Sequence, residues 1–572
     1  MDRITKSLLE DFSIVMELEI KEQSKLFEMF SAYSIISKVH NEKFELEDVV
    51  GGNGGDCGID GLAIIVSGIM INSIEEIEDL IERSGSISEV NFLLIQSKTS
   101  SSFNGGEIRT FGDGVVDFFS ENPTLVRNEF IKKRAKIVEY IISKAARIKK
   151  MTCEMFYVTT GKWINDQNLI SRITRIKEDL EDLHLFKQVK FTPIDAREIQ
   201  KYYKQTQEKV SATINFPNKV LLPEIEGVNE AYIGTLEIKE FLNLIEDDLG
   251  NINRSVFYDN VRDYQGENDV NESISKTVQS EKSNRLAVLN NGVTIVAKSL
   301  NVARNDLTLG DYQIVNGCQT SHVIYNYKED INRLISLPVK VIGTENEDVI
   351  SEIIIANNSQ TEVKKEELMA LSDFQKRLEL FYNAINEPKK RLYYERRSRQ
   401  YDAVPNIEKV RIVTISSQIK CFASMFLDRP HLASRFYGKL LEQLSEFAFV
   451  SDHELMPYYT SSFALYKLEF YFRNKSLDSK FRKFKYHLLM MLRYYISTEQ
   501  APFNSKKINK ECERINKELY SVNLLTLFRE LTSVIENVVD DVESTEITKR
   551  QSLNEQLIKK VVELRKGSIT SV

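Results

Sequence analysis

Apolar residues recur at three- and four-residue spacing through LLEDFSIVMELEIKEQSKLFEMFSAYSIISKV, which predicts helix over residues 1–50. A Gly-rich turn follows, GGNGGDCGIDG (51–61). After it come two short apolar runs, LAIIVSGIMI (62–71) and FLLIQSK (92–98), which read as strands. A long helix is expected over 124–149 and a further strand in CEMFYVTT (153–160). Helix, strands, helix, strand is the order of an α/β unit. Residues 161–205 add a polar helical stretch and the strand KQVKFTPI, and a polar run near 205–225 marks a boundary.

Beyond that boundary, strands (AVLNNGVTIVAKSL, YQIVNG) mix with helices over 225–345. Residues 346–400 read as helical and charged, and 405–572 as helical almost throughout. The expected organisation is an α/β domain at 1–205, an α+β central domain at 215–402 and a mostly α-helical domain at 403–572. The length of 572 residues fits three to four domains at about 150 residues each.

Composition sharpens this picture. Hydrophobic residues make up 42% and charged residues 28%, enough apolar material for several cores and too much for a disordered chain. Twelve of the 23 glycines lie between Gly51 and Gly114, so tight turns are expected there. The longest apolar stretch, Leu62 to Ile71, is broken by Ser67 and Gly68 and is far short of the roughly 20 residues of a membrane span. The N-terminus has no apolar signal core. The five cysteines (57, 153, 318, 421, 512) form no CxxC pair, which suits a reducing, cytoplasmic setting. A net charge of −8 means that any nucleic-acid contact must come from local basic patches.

One such chemistry-bearing cluster is local to the first two strands. Asp60 stands where the Gly-rich turn becomes strand, and Gln96-Ser97-Lys98 ends the next strand. Side chains at i and i+2 share a strand face, so Gln96 and Lys98 project together. A carboxylate beside an amide oxygen and a lysine suits Mg²⁺, with Mn²⁺ as a substitute; the lysine would orient or deprotonate an attacking water. Asp56, inside the turn, is a competitor for the role of Asp60. A lone D…QxK also arises by chance; the GxxGIDG turn before one strand and QxK at the end of a second favour a site.

The elements G-I-D-G (58–61) and I-Q-S-K (95–98) resemble the PD-(D/E)XK nuclease superfamily, in the Q-x-K version of Mrr-type restriction endonucleases. The resemblance implies a restriction-endonuclease-like fold and metal-dependent hydrolysis of phosphodiester bonds. It also implies a glutamate from the first helical region, matched here by Glu28 in KLFEMF. The catalytic set would be Asp60, Gln96, Lys98 and Glu28, with Asp60, Gln96 and Glu28 on the metal. Gln96 replaces the commoner acid, which removes one negative charge and leaves one or two metals open.

Two basic runs offer phosphate contact. Residues 127–150 hold nine Lys/Arg against two Glu, with Lys132, Lys133, Arg134 and Lys136 as candidates. Between Lys376 and Arg399, Arg396, Arg397 and Arg399 match phosphate geometry, with Phe381, Tyr382, Tyr393 and Tyr394 available to stack on bases. In each case the alternative is an ordinary solvated face lying over core side chains. Arg482 and His487 have the R-x4-H spacing seen in HEPN ribonucleases, but KFRKFKYHLLMMLRYY reads better as a packed helix with a basic face.

Four polar motifs mark the central region: NVRDYQG (260–266), NNG (290–292), NGCQTS (316–321) and NNSQT (357–361). Their residues of interest are Asn260, Arg262, Asn291, Asn316, Gln319, Thr320, Asn358 and Gln360. Such amides either pin loops to each other or read a bound nucleotide or backbone. With the runs around them, over 257–402, they resemble the AIPR (abortive infection phage resistance) family, and weaker similarity extends over most of the chain. The resemblance implies a prokaryotic anti-phage protein; joined to the nuclease-like first unit, the expectation is a nuclease acting on DNA, with RNA the alternative substrate, controlled by the AIPR module. A homodimer and a phage-encoded trigger or operon partner are expected. The competing expectation is a non-catalytic nucleic-acid or nucleotide sensor that acts through a partner effector.

Overall fold

The structure is a computed structural model. It describes residues 1–570 apart from 41, 52–53, 208–209, 248–249, 251, 258–268, 281, 332–334, 359–371, 397–399, 402–403, 405–406, 434, 436, 445, 498–499, 543 and 545.

Two helices, α1 (Arg3–Val15) and α2 (Gln23–Val39), precede five strands: β1 (Gly61–Val66), β2 (Ile69–Met70), β3 (Val90–Lys98), β4 (Met151–Thr159) and β5 (Gln188–Ile194). Their order in the sheet is β2-β1-β3-β4-β5; β1 runs antiparallel to β3, and β3, β4 and β5 run parallel. Between the strands lie α3 (Ile74–Ser84), α4 (Gly105–Phe119), α5 (Glu129–Ser143) and α6 (Gln167–Glu181), and α7 (Ala196–Gln205) follows. Strands covered on both faces read as unbroken apolar runs rather than alternating ones, and β1 and β3 do so. Ala63, Ile65, Leu93 and Ile95 pack with Phe27 and Phe30 of α2. Leu62, Ile64, Phe92 and Leu94 face the opposite way, with Phe111 of α4 and Ile176 of α6.

Helix α4 corrects one expectation. The glycines up to Gly114 suggest turns, yet Gly105, Gly106, Gly112 and Gly114 lie within this helix. Close packing is the reason. A Cβ on Gly112 would stand 2.4 Å from Ile176, and one on Gly114 would stand 1.7 Å from the carbonyl oxygen of Cys57. The long helix expected over 124–149 is shorter, confined to α5 and a 3₁₀ turn at Ala145–Arg147.

The second sheet has six strands: β6 (Ser211–Asn215), β7 (Asn218–Leu221), β8 (Glu230–Glu237), β9 (Val293–Ala303), β10 (Asp306–Asn316) and β11 (Ser336–Gly343). Their order is β6-β10-β9-β11-β8-β7, with only β9 and β11 parallel. Helices α8 (Ile238–Ile245), α9 (Asp269–Gln279), α10 (Leu286–Leu289), α11 (Cys318–Asn326) and α12 (Glu347–Asn358) accompany it. Helices then dominate from Ile415 onward, around a core of Leu and aromatic side chains in which Phe422 stacks on Tyr458 at 4.1 Å. Among the described residues no helix is long and apolar enough to cross a membrane. All five cysteines are free thiols, four of them buried.

The helical part packs against the first α/β unit through ion pairs with a consistent sense. Asp48 meets Arg482 at 2.7 Å, Asp79 meets Arg435 at 3.2 Å, and Glu17 meets Arg411 at 2.7 Å. In each the acid comes from the first unit and the cation from the helical part. Burial alone would raise the Asp48 carboxyl, but the charges of Arg482, Lys485 and Lys133 and the Arg482 hydrogen bond together hold it well below the usual carboxylate range.

Candidate active site at the ends of β1 and β3

Backbone pairing of Gly61 with Ile95 places Asp60 opposite Gln96. Asp60 is only 8% exposed. Its Oδ2 accepts hydrogen bonds from Gln96 Nε2 and from the Ser97 amide, both at 2.7 Å. The turn before it is built to deliver it there. Asp56 Oδ1 accepts from the Gly58 amide at 2.9 Å, so Asp56 shapes the turn rather than competing for the site. Gly58 adopts φ +73°, in the left-handed region that glycine tolerates best. A Cβ there would stand 3.3 Å from Gln96 Oε1. The bare face of Gly114 seats the Cys57 carbonyl against α4.

Glu28 reaches the site from α2. Its Oε2 accepts from Lys25 Nζ at 3.0 Å, and the same ammonium donates to the Gly51 carbonyl at 2.7 Å. Gly51 in turn donates its amide to the Asp60 carbonyl at 2.9 Å. Lys98, partly exposed, lies two residues beyond Gln96 on the same strand face. The four predicted residues therefore converge, and their charges act on one another. Burial, then the Glu28 charge, pushes the Asp60 carboxyl up to about 7; the Ser97 hydrogen bond and the Lys98 charge pull the other way.

Two further side chains belong to this neighbourhood. Tyr157 of β4 pairs with Gln96 in register, and its hydroxyl donates to Glu107 Oε2 of α4 at 2.9 Å. Burial and that acceptor raise the phenol far above its ordinary value, so it stays a proton donor. The strand CEMFYVTT was legible, but its parallel register beside IQSK was not, and α4 was hidden by its glycines.

The donor set fits Mg²⁺. The buried Asp60 carboxylate feels the Glu28 charge, and the strained ionisation that results is what an added cation would relieve. Among the described residues no group of three or more His, Cys, Asp and Glu side chains is placed to hold a metal. An ion here would complete its shell with water and phosphate oxygens. The Gln96 amide nitrogen faces Asp60 and its oxygen lies toward Gly58, so in this arrangement Gln96 holds Asp60 in place instead of offering a ligand oxygen.

The basic candidates divide. Lys132 and Lys136 are exposed on α5, with Lys132 paired to Glu129. Arg134 is a correction: it is 2% exposed, and its guanidinium donates to the Ile71 carbonyl, the Asp48 carbonyl and Asn72 Oδ1. It ties loops together and has no open face for a phosphate. Arg396 is likewise buried, with its Nε on Glu379 at 2.9 Å. Tyr382 and Tyr394 beside it are core residues, not stacking platforms. Arg397 and Arg399 lie outside the described residues. Arg482 is spent on Asp48 and Glu469, and burial pushes His487 down to about 3, so the R-x4-H spacing carries no open site.

In the central region the motifs meet each other. Asn290 Nδ2 donates to Thr320 Oγ1 at 3.0 Å, while its Oδ1 accepts from the Gly292 amide at 2.8 Å. Asn271 Nδ2 donates to Gln319 Oε1 at 2.8 Å. Gly292 and Gly317 both take positive φ, and a Cβ on either would strike the neighbouring strand at 2.7–2.8 Å. Asn316 ends β10, paired with Thr294, and Asn291 is exposed at the start of β9. Asn260, Arg262 and Gln360, and the side chain of Asn358, lie outside the described residues.

A family model described as AIPR protein matches residues 257–558. Comparison with curated proteins and with solved structures finds no match for either. The matched span begins within the second unit, takes in the NNG, NGCQTS and NNSQT motifs, and continues through most of the helical part. Since it covers more than half of the sequence, the chain belongs to the AIPR family.

Proposed function

We propose that this chain is a phage-defence protein whose first α/β unit is a Mg²⁺-dependent nuclease acting on DNA. Membership of the abortive infection phage resistance family supports the defence role. The nuclease reading is carried by one observation: a largely buried Asp60, clamped by Gln96 and the Ser97 amide, faces the charges of both Glu28 and Lys98. The mixed sheet, with α2 laid against β1 and β3, suits the restriction-endonuclease resemblance. Asp60 and Glu28 would hold the cation. Such an ion, when bound, stabilises charge on the phosphoryl oxygens and acidifies water. Lys98 would orient that water and steady the negative charge that develops on it as its proton leaves to solvent. Gln96 and the Ser97 amide fix the Asp60 carboxylate, and the Tyr157–Glu107 pair lies beside it. The ion pairs that join the acidic side of this unit to Arg482 and Arg435 give the AIPR region a physical hold on it.

Plasmid DNA incubated with purified protein and Mg²⁺ tests the reading. Wild type cleaves; Lys98→Ala, with an unchanged melting temperature, does not. Undiminished cleavage by that variant rejects the assignment. No cleavage of DNA or RNA by wild type, with phage protection surviving Asp60→Asn, favours a non-catalytic sensor instead.

A further inference from the structure

A cleft of about 1700 Å³ opens between the first α/β unit and the helical part. It exceeds the roughly 300–1,000 Å³ of common small-molecule pockets, which suits an extended ligand. Its charge is distinctive. Several of the acids that line it are engaged by cations: Asp48 by Arg482, Glu469 by Arg482 and Lys485, Glu75 by Lys549. Lys133 and Lys136 on one wall and Lys475 on the other have no carboxylate partner among the described residues. Lys133 is accessible from the cleft yet surrounded by protein. Burial, then the neighbouring Arg134 charge, bring its ammonium down to about 8, against the opposing pull of Asp48. Phosphate oxygens would give these accessible ammonium groups the acceptors they lack.

The cleft also has a direction. Gly51 and Lys25 line it, and these residues touch the Asp60 carbonyl and Glu28. Ion pairs join the walls, Arg482 with Asp48 and Lys549 with Glu75, and a single strand passes such bridged walls more readily than a duplex.

We propose that this interdomain cleft binds a single nucleic-acid strand, with its phosphates on Lys133, Lys136 and Lys475 and its path leading to the Asp60 notch. The family-specific helical part is then one wall of the substrate channel and not only a distant control element. The strand's route to Asp60 rests on the nuclease reading; its binding does not.

Fluorescence anisotropy with a labelled oligothymidylate strand in EDTA tests binding without cleavage. Wild type binds the strand more tightly than a duplex of the same length. The triple variant Lys133→Ala/Lys136→Ala/Lys475→Ala weakens binding about tenfold or more and flattens the log–log salt slope by about 2, since each phosphate contact on a single strand contributes about 0.7. Lys190→Ala, an exposed lysine on β5 away from the cleft, leaves binding unchanged. If the triple variant melts early, Lys136→Ala/Lys475→Ala, both at exposed positions, gives the same comparison. Equal strand binding by a folded cleft variant, no strand binding by wild type, or preference for the duplex overturns the proposal. Cleavage by wild type that the cleft variants leave untouched also overturns it while sparing the nuclease reading. Cleft-dependent strand binding without any cleavage supports it and removes the nuclease reading.

Discussion

The Asp60 notch and the Asn290–Thr320 network occupy similar places. Each lies at strand ends, beside a glycine with positive φ, in a sheet flanked by helices. They differ in what is left over once hydrogen bonds are counted. In the central network, among the described residues, an amide meets a hydroxyl, another amide or a backbone N–H. In the notch, the buried Asp60 carboxylate feels the charges of Glu28 and Lys98 and is held at an unfavourable ionisation. Polar side chains that satisfy one another fix a fold. Polar side chains that leave charge unbalanced in a buried place are prepared for something that is added later.

The contrast can be broken most severely at Asp60. Asp60→Asn should cut plasmid cleavage about a thousandfold, the scale of losing a key electrostatic group, whereas Gln319→Ala should leave cleavage measurable. Gel-based rate assays in Mg²⁺ decide this.

The next effect is on stability without metal. At pH below about 4 the Asp60 carboxyl is protonated in folded and unfolded chains alike. From there to about 7 the folded chain alone keeps the proton, so stability falls as pH rises through this window and stays low above it. The loss is at most about 4 kcal/mol. Urea denaturation of metal-free protein at pH 5 and pH 8 should show it, and Asp60→Asn should remove the fall and be the more stable protein at pH 8.

A somewhat smaller cost is expected at the support of the notch. Gly114→Ala would push against the Cys57 carbonyl and destabilise the fold by about 3 kcal/mol, the upper range for overpacking. Cleavage should fall with it, because that carbonyl belongs to the turn carrying Asp60. Smallest, Asn290→Ala should cost about 1–2 kcal/mol through the loss of its two hydrogen bonds. If it were thermally silent while protection against phage was lost, the central motifs would be a ligand site and the contrast would collapse.

How far each region was readable depends on the range of its determinants. The Gly-rich turn, Asp60 and the QxK strand are local patterns, and alternation along one strand suffices to put Gln96 and Lys98 on one face. Glu28 required the resemblance, because nothing local separates it from the other glutamates of the first fifty residues. Tyr157 and Glu107 depend on a parallel register and on a helix whose glycines mimic turns. Arg134 and Arg396 look like phosphate ligands in a linear basic run, but their burial is set by Asp48, Asn72 and Glu379 from other elements. Charge runs report composition; only tertiary packing reports which charges remain open.

The most direct measurement is calorimetric titration of Mn²⁺ into metal-free wild type and Asp60→Asn protein at pH 8. Wild type should bind the ion and the variant should lose that binding while keeping its fold. Equal binding by both would mean that Glu28 of α2 and Asp60 before β1 do not form a cation site.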